Sequence, residues 1–151
     1  GDGSIMMNIQ ELTTIAKRKM NIKIFILNND GYHSIRQTQN NFFKRQVGCG
    51  PDSNLYFPEF SKISKSHNIE YFAIKDSKKT KEIINKVLAK NNAVICEVFI
   101  DKNQEFAPKV SSFRDKDGKI YSRPLEDQAP FLDRDELKEL MYINLTEESK
   151  K

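Results

Sequence analysis

The chain has 151 residues, of which 38% are hydrophobic, and this suits one domain with a single apolar core. Lysine and arginine outnumber aspartate and glutamate by four, but the lysines are scattered among acidic residues, so we expect no nucleic-acid partner. No apolar run approaches the roughly twenty residues needed to span a bilayer, which argues against a membrane protein. Cys49 and Cys96 have neither metal-ligand spacing nor a disulfide framework, and we expect a reducing, cytoplasmic location.

The opening of the chain predicts a helix, a strand and a polar loop, in that order. Apolar residues recur at helical spacing from Ile5 to Met20, which predicts an amphipathic helix over about residues 4–19. The β-branched, apolar run that follows predicts a strand of a covered parallel sheet over residues 21–27. Asn28-Asn29-Asp30-Gly31 then lies at the carboxyl end of this strand, where open α/β sheets bind their ligands.

The middle of the chain continues the alternation of helices and strands. The pattern predicts helices over about residues 34–44, 58–65 and 76–89, and strands over residues 71–74 and 93–100. The first of these helices is expected to carry Ile35 and Phe42 along one side and Arg36 elsewhere. Residues 45–56 are expected to form a mobile loop and candidate lid, with Cys49 able to reach solvent. The alternation predicts an α/β fold, a parallel β-sheet with helices on both faces.

The last part of the chain is more charged and predicts small elements. Asp117-Gly118 predicts a β-hairpin, and Asp133 is predicted to cap a last short helix. Residues 147–151 are expected to fray. We assign residues 1–112 to the α/β domain and residues 113–151 to a tail of the same domain. The tail is expected to pack on another domain or subunit, because its apolar residues exceed what a free tail carries in water.

Three residues of the opening segment offer oxygen atoms that suit a hard divalent cation. Asp2 supplies a carboxylate, Asn29 an amide oxygen and a turn at Gly31 a backbone carbonyl, which suits magnesium or calcium. The glycines of Gly1-Asp2-Gly3-Ser4 let backbone amides approach a phosphate, and the helix that follows directs the positive end of its dipole there. The local alternative is that Asp2 is a helix N-cap, Gly31 a turn glycine and the asparagines loop formers.

With twenty-four residues between Gly3 and Asn28, the chain resembles the diphosphate-binding domain of thiamine diphosphate enzymes, which has a Gly-Asp-Gly motif and a double Asn at about this spacing. The resemblance implies that Asp2, the Asn29 side chain and the Gly31 carbonyl hold a divalent ion, usually Mg²⁺, that bridges the two phosphates. It also implies cofactor contacts from these residues: Gly1, Gly3, Ser4 and Tyr32. The implied fold is the thiamine diphosphate-binding fold, here without an upstream strand of its sheet.

The resemblance extends to acetolactate-synthase-like members of that family. Like residues fall at corresponding places up to about residue 112, among them Met7-Asn8-Ile9-Gln10-Glu11-Leu12, Arg36-Gln37 with Gln39, Phe42-Phe43, Cys96-Glu97-Val98 and Phe106-Ala107-Pro108-Lys109. The resemblance implies decarboxylation of a 2-keto acid, with carboligation to a second carbonyl compound as one outcome. Two departures keep a simple 2-keto acid decarboxylase as the alternative. Thr38 stands where acetolactate synthases usually have Trp, and Asp30-Gly31-Tyr32-His33 is similar to the simple decarboxylases.

No catalytic residue is assigned within this chain. In the resembling family, the glutamate that activates the cofactor lies in a separate pyrimidine-binding domain, usually contributed by another subunit, and this implies a homo-oligomer. The chain opens directly on the motif, so we expect a fragment of a longer polypeptide that is inactive by itself. His33 is a candidate proton shuttle, with a surface histidine in a turn as the alternative.

Two other classes of function stay open at this point. A non-catalytic binding or assembly module would keep the α/β fold but lose the site, and the intact Asp2, Asn29 and Gly31 argue against it. A dinucleotide-binding domain would need a Gly-x-Gly-x-x-Gly turn and an acid on the following strand, which the sequence lacks. A cofactor-anchoring domain is therefore the favoured prediction.

Overall fold

The computed structural model describes residues 1–150, which form two compact units, Gly1–Gln104 and a second that begins at Glu105. The strands of the first unit are β1 (Lys23–Asn28), β2 (Glu70–Ile74) and β3 (Val94–Phe99). Its α-helices are α1 (Asp2–Ile5), α2 (Glu11–Lys17), α3 (His33–Phe42), α4 (Phe60–Ser66) and α5 (Thr80–Leu88). Short 3₁₀ helices lie at Met6–Asn8, Pro51–Ser53 and Ser77–Lys79. The division of the sequence after residue 112 stays a prediction.

The three strands form one parallel sheet in the order β1-β3-β2. β3 lies in the centre, and its residues Val94 and Cys96 are fully buried, as expected for a strand covered on both faces. β1 and β3 are paired in register up to Asn28↔Phe99, so their carboxyl ends meet at one edge of the sheet. The polar loop after Asn28 therefore starts at this edge, as the sequence predicts.

Helices cover both faces of the sheet, and each face has its own apolar core. One core contains Leu12 of α2 and Phe60 of α4 together with Ile26 of β1. The other contains Val87 of α5 together with Cys96 of β3. The predicted fold class, a parallel sheet with helices on both faces, is thus confirmed. Within residues 1–150, no helix is both long and apolar enough to cross a membrane.

The amphipathic helix predicted over residues 4–19 is interrupted in the structure. α1 ends at Ile5, a 3₁₀ turn follows, and α2 begins at Glu11. Ile5 and Ile9 pack against the same core as Leu12, so the helical spacing reflects burial and not an unbroken helix. Because α1 is a single turn, few peptide dipoles are aligned there, and the expected helix dipole at the opening segment is wrong.

The second unit contains the predicted hairpin and the predicted last helix. β4 (Ser112–Arg114) pairs antiparallel with β5 (Ile120–Ser122), and two aromatic rings stack across the hairpin with centroids 5.6 Å apart. α6 (Arg134–Leu140) begins after Asp133, whose side chain accepts a hydrogen bond of 2.9 Å from a backbone amide of the first turn. Asp133 is therefore the helix cap that the sequence predicts.

A buried carboxylate holds several parts of the second unit together. Asp127 is 2% exposed and forms ion pairs with Arg123 and Arg134, with N–O distances of 2.8 and 2.7 Å. Arg134 also donates a hydrogen bond to the carbonyl oxygen of Ser149, a fully buried residue. The expectation that residues 147–151 fray is therefore wrong for Ser149, while Lys151 lies outside the described residues.

Replacing Asp127 by Asn is expected to destabilise the second unit by about 3 kcal/mol, because it removes one partner of a buried ion pair. Burial alone would raise the pKa of Asp127, but hydrogen bonds from Arg134 and Arg123 outweigh it and lower the pKa to about 2. This pKa is below the ordinary value of 3.8, so the stabilisation is complete above about pH 4 and is lost as the pH falls towards 2. Hydrogen exchange of the α6 amides against pH measures this loss.

The matched control is Asp117→Asn, which makes the same change at an exposed carboxylate of the hairpin turn. We expect this variant to keep the wild-type hydrogen exchange and the wild-type acid sensitivity. Equal acid sensitivity in the wild type and in Asp127→Asn would contradict the role of Asp127.

Candidate functional site

The carboxylate of Asp2 joins the start of α1 to the loop that follows β1. Asp2 is 1% exposed, and its Oδ2 accepts a hydrogen bond of 2.7 Å from the backbone amide of Gly31. The capping position of α1 belongs to Gly1, and no side chain forms a capping hydrogen bond there. The local alternative, in which Asp2 is only a helix N-cap, is therefore wrong.

The other carboxylate oxygen of Asp2 lies beside the side-chain amide of Asn29. The amide atom that faces it is 3.2 Å from Asp2 Oδ1 and 2.9 Å from the carbonyl oxygen of Gly31. If the amide nitrogen faces these two oxygens, it donates a hydrogen bond to each of them. If the amide oxygen faces them, three oxygens lie close together, as the ligands of a shared cation do. The structure thus brings together the three residues that the sequence predicts as metal ligands.

The spacing of these atoms fits a small divalent cation. Magnesium binds oxygens at about 2.0–2.1 Å in octahedral geometry, which places neighbouring ligand oxygens about 2.9 Å apart. The separations around the Asn29 amide, 2.9 and 3.2 Å, match this spacing and equally match N–H···O hydrogen bonds from the amide. Residues 1–150 contain no cluster of three His, Cys, Asp or Glu side chains that could hold a metal, so this candidate combines one carboxylate with neutral oxygens. One negative charge leaves a divalent ion able to bind an anionic ligand such as a diphosphate.

Gly31 lets the loop after β1 approach a second loop very closely. Its φ is +137°, and a Cβ at this position would lie 2.1 Å from the carbonyl oxygen of Cys49. The same carbonyl accepts a hydrogen bond of 2.9 Å from the backbone amide of Tyr32. Any side chain at position 31 would separate the two loops and break this bond.

Residues 45–56 are packed against the candidate site in their central part. Cys49 is fully buried, so the expectation that its thiol reaches solvent is wrong. The Ser53 hydroxyl accepts hydrogen bonds from the backbone amides of Cys49 and Gly50, at 2.9 and 3.1 Å. These bonds fix the shape of the turn, and its Cys49 carbonyl contacts the loop after β1 through the hydrogen bond from Tyr32. The role of the segment as a lid stays a prediction.

The remaining cofactor residues predicted from the resemblance lie next to this convergence. Gly3 is buried against the ring of Tyr32, where a Cβ would lie 2.5 Å from Tyr32 Cε1. The Tyr32 ring in turn meets Phe57 edge to face, with centroids 5.6 Å apart. Gly1 and Ser4 flank the buried residues Asp2 and Gly3 in sequence, and both flanking residues are exposed.

His33 lies inside the fold and not on its surface. It is the first residue of α3 and is 7% exposed. The alternative of a surface histidine in a turn is therefore wrong, and the role of His33 as a proton shuttle stays a prediction.

The sequence did not indicate that Arg36 is buried. Arg36 is 7% exposed, whereas Ile35, expected on the apolar side of α3, is 44% exposed. The Arg36 guanidinium donates hydrogen bonds to three backbone carbonyls at the carboxyl edge of the sheet. Helical spacing could not predict the burial of Arg36, because other segments of the chain, such as that around Lys102, cover the polar side of α3.

A buried carboxylate in β3 also supports the loop after β1. Glu97 is 5% exposed and accepts hydrogen bonds from the Tyr71 hydroxyl and from the side-chain amide of Asn28. The Asn28 amide oxygen accepts a hydrogen bond of 2.9 Å from the backbone amide of Asp30. Burial, and then the hydrogen bond to Glu97, raise the pKa of Tyr71, so its hydroxyl stays a proton donor. The sequence signal for this network was Glu97, an acidic residue among the apolar residues of the strand predicted over residues 93–100.

Comparison of the sequence with known proteins identifies the family of the chain. Residues 1–98 match the family described as "Thiamine pyrophosphate enzyme, C-terminal TPP binding domain". The chain is 29% identical over 113 residues to the acetolactate synthase large subunit of Cyanidium caldarium, and this alignment covers 74% of the chain and 19% of that protein. It is 30% identical over 117 residues to acetolactate synthase of Arthrospira platensis, with 76% and 20% covered. It is 26% identical over 117 residues to acetolactate synthase 1, chloroplastic, of Zea mays, with 74% and 18% covered.

The matched segment contains all the residues predicted to bind cofactor or metal, from Gly1 to Tyr32, and most of the sheet. The chain spans about a fifth of the length of the curated relatives that it matches. The resemblance based on the Gly-Asp-Gly motif and the double Asn is therefore confirmed. The chain belongs to the family of thiamine pyrophosphate enzymes and corresponds to their C-terminal TPP-binding domain.

Proposed function

We propose that the chain anchors the diphosphate of thiamine diphosphate through a divalent cation, usually Mg²⁺, held by Asp2, Asn29 and Gly31. The observation that carries the proposal is the approach of the Asn29 amide to the carboxylate and carbonyl oxygens, at 3.2 and 2.9 Å. The family match supports the identity of the cofactor. The hard oxygen donors, with a single negative charge among them, support magnesium as the ion.

Each residue of this site has a separate task in the proposal. The Asp2 carboxylate attracts the cation, and its hydrogen bond to the Gly31 amide keeps the Gly31 carbonyl beside it. Backbone amides of Gly3 and Ser4 contact the phosphates, and the missing Cβ of Gly3 lets the backbone come close there. Gly1 and Tyr32 complete the set of cofactor contacts. Bound thiamine diphosphate supplies the electron sink for decarboxylation of a 2-keto acid, while the protein binds and orients it.

The parent protein is proposed to be an acetolactate-synthase-like lyase or transferase that decarboxylates a 2-keto acid, with carboligation to a second carbonyl compound. Its similarity to proteins named acetolactate synthase supports this class. Thr38 is exposed and lines an open depression of about 270 Å³ with Ser34, Ile35 and Gln39. Because Thr38 replaces the usual Trp of acetolactate synthases, a simple 2-keto acid decarboxylase is the second candidate.

The chain is proposed to work with a pyrimidine-binding domain from another subunit of a homo-oligomer, and to be inactive without it. The exposed side chains of Phe25 and Leu27, 38% and 49% accessible on one face of β1, support contact with another domain. A cytoplasmic location is also proposed, since Cys49 and Cys96 are free thiols that suit a reducing compartment. No nucleic-acid or membrane partner is proposed.

The proposed function is tested by calorimetric measurement of cofactor binding to the full-length natural protein that contains this sequence. We expect thiamine diphosphate to bind only when Mg²⁺ is present, because the cation joins its phosphates to Asp2, and we expect a nicotinamide dinucleotide not to bind. A chelator should reverse the binding. Binding of the dinucleotide would favour the dinucleotide-binding alternative, and failure to bind either ligand would favour an assembly module.

A further inference from the structure

The side chain of Arg36 lies between residues 29–31, which we call the metal loop, and the segment that follows β3. Its Nη1 donates hydrogen bonds of 3.0 Å to the carbonyl oxygens of Asn29 and Lys102. Its Nη2 donates a hydrogen bond to the carbonyl oxygen of Asp30. One guanidinium therefore holds two successive carbonyls of the metal loop and a third on a neighbouring loop.

Two glycines make room for this guanidinium. A Cβ at Gly31 would lie 2.9 Å from Arg36 Nη2, and a Cβ at Gly50 would lie 2.8 Å from the same atom. The φ of Gly50 is 178°, an extended conformation that any residue adopts. The missing side chain at position 50 is therefore needed for the guanidinium and the adjacent backbone, and not for the conformation of Gly50 itself.

The peptide group between Asp30 and Gly31 connects Arg36 directly to Asp2. Its carbonyl oxygen accepts a hydrogen bond from Arg36, and its N–H donates one to Asp2 Oδ2. A peptide group is planar, so a bond at each end fixes its orientation. This peptide fixes where the backbone of Gly31 begins, and the next peptide group, which carries the Gly31 carbonyl, is held at its own N–H by the Cys49 carbonyl.

We propose that Arg36 is the positioning residue of the cation site: it holds the Asp30–Gly31 peptide against Asp2, so that the ligand oxygens are arranged before the cation binds. This inference rests on the proposed function and adds a residue that does not itself touch the ion. Arg36 acts through backbone groups only. A lysine cannot replace it, because a single ammonium group lacks the planar fork that spans three carbonyls.

The test compares Arg36→Lys and Arg36→Ala with the wild type in two titrations: Mg²⁺ at saturating thiamine diphosphate, and thiamine diphosphate at saturating Mg²⁺. We expect Arg36→Lys to raise the Mg²⁺ concentration for half-saturation about tenfold or more, with little change in the second titration. Low millimolar guanidinium should restore Mg²⁺ binding to Arg36→Ala but not to Arg36→Lys, in which the site is filled. Arg45→Lys, at an exposed arginine, is the matched control and should behave as wild type.

The outcomes separate this inference from the proposed function. If the wild type shows no Mg²⁺-dependent binding, the proposed function fails and the inference falls with it. If the wild type binds but Arg36→Lys and Arg36→Ala bind Mg²⁺ equally well, only the inference is overturned. It is also overturned if both variants lose melting temperature in the absence of ligand and guanidinium restores nothing, because Arg36 would then serve the fold alone.

Discussion

Asp2→Asn is expected to lower the affinity for thiamine diphosphate in the presence of Mg²⁺ by about 100-fold or more, because it removes the only charged ligand proposed for the cation. The substitution keeps the size of the side chain and an oxygen that can accept the hydrogen bond from Gly31. The effect therefore isolates the charge. Calorimetry at a fixed, saturating Mg²⁺ concentration measures it.

The control for this experiment is Asp117→Asn, which removes one negative charge from an exposed turn in the second unit. We expect the control to bind cofactor as the wild type does, and we expect both variants to keep the wild-type melting temperature within a few degrees when no ligand is present. A wild-type cofactor affinity in Asp2→Asn would contradict the assignment of Asp2 as a metal ligand.

Gly31→Ala is expected to abolish cofactor binding and to destabilise the first unit. Residue 31 has a φ of +137°, and a Cβ there would lie 2.1 Å from the Cys49 carbonyl, so the loops must separate. The backbone conformation alone costs an alanine about 1–3 kcal/mol, and the steric conflict adds to this. Separation also breaks the hydrogen bond between Tyr32 and Cys49 and moves the proposed carbonyl ligand. Urea unfolding and calorimetry measure the two effects.

Gly48→Ala is the matched control, since it also adds a Cβ to a glycine of positive φ in the neighbouring loop. The φ of Gly48 is +59°, and nothing lies within 4 Å of the Cβ position. We expect a loss of about 1–2 kcal/mol from the left-handed conformation, with cofactor binding retained. If the two variants bind cofactor equally well, the close contact between the loops does not matter for the site.

Local patterns were sufficient to predict the strands and the polar loop of the first unit. The run around Cys96 is a strand buried between two layers of helices, and the apolar run before Asn28 is a strand buried on the face that carries Ile26. Their parallel pairing then places the asparagines at the carboxyl edge of the sheet. Even where the pattern was right about burial, it was wrong about continuity, since the helix predicted over residues 4–19 consists of separate short helices.

Local patterns did not reveal which polar residues are buried behind the candidate site. Arg36 and Glu97 are charged residues, and the burial of a charged side chain is unfavourable unless it is paired. The local pattern therefore predicts that both are exposed. Their burial is possible because partners far away in sequence satisfy them: the Lys102 carbonyl for Arg36, and the Tyr71 hydroxyl for Glu97. A linear pattern contains no information on such partners.

The sequence by itself determined the family and supplied the oxygen atoms proposed as ligands, because a carboxylate, an amide and a flexible glycine stand at a characteristic spacing around strand β1. Only the tertiary structure decided how these atoms meet. The Asp2 carboxylate, the Asn29 amide and the Gly31 carbonyl converge because Gly31 packs on the Cys49 carbonyl and Arg36 holds the peptide before it. These are contacts between segments separated along the chain, and their geometry depends on how the sheet and its loops pack.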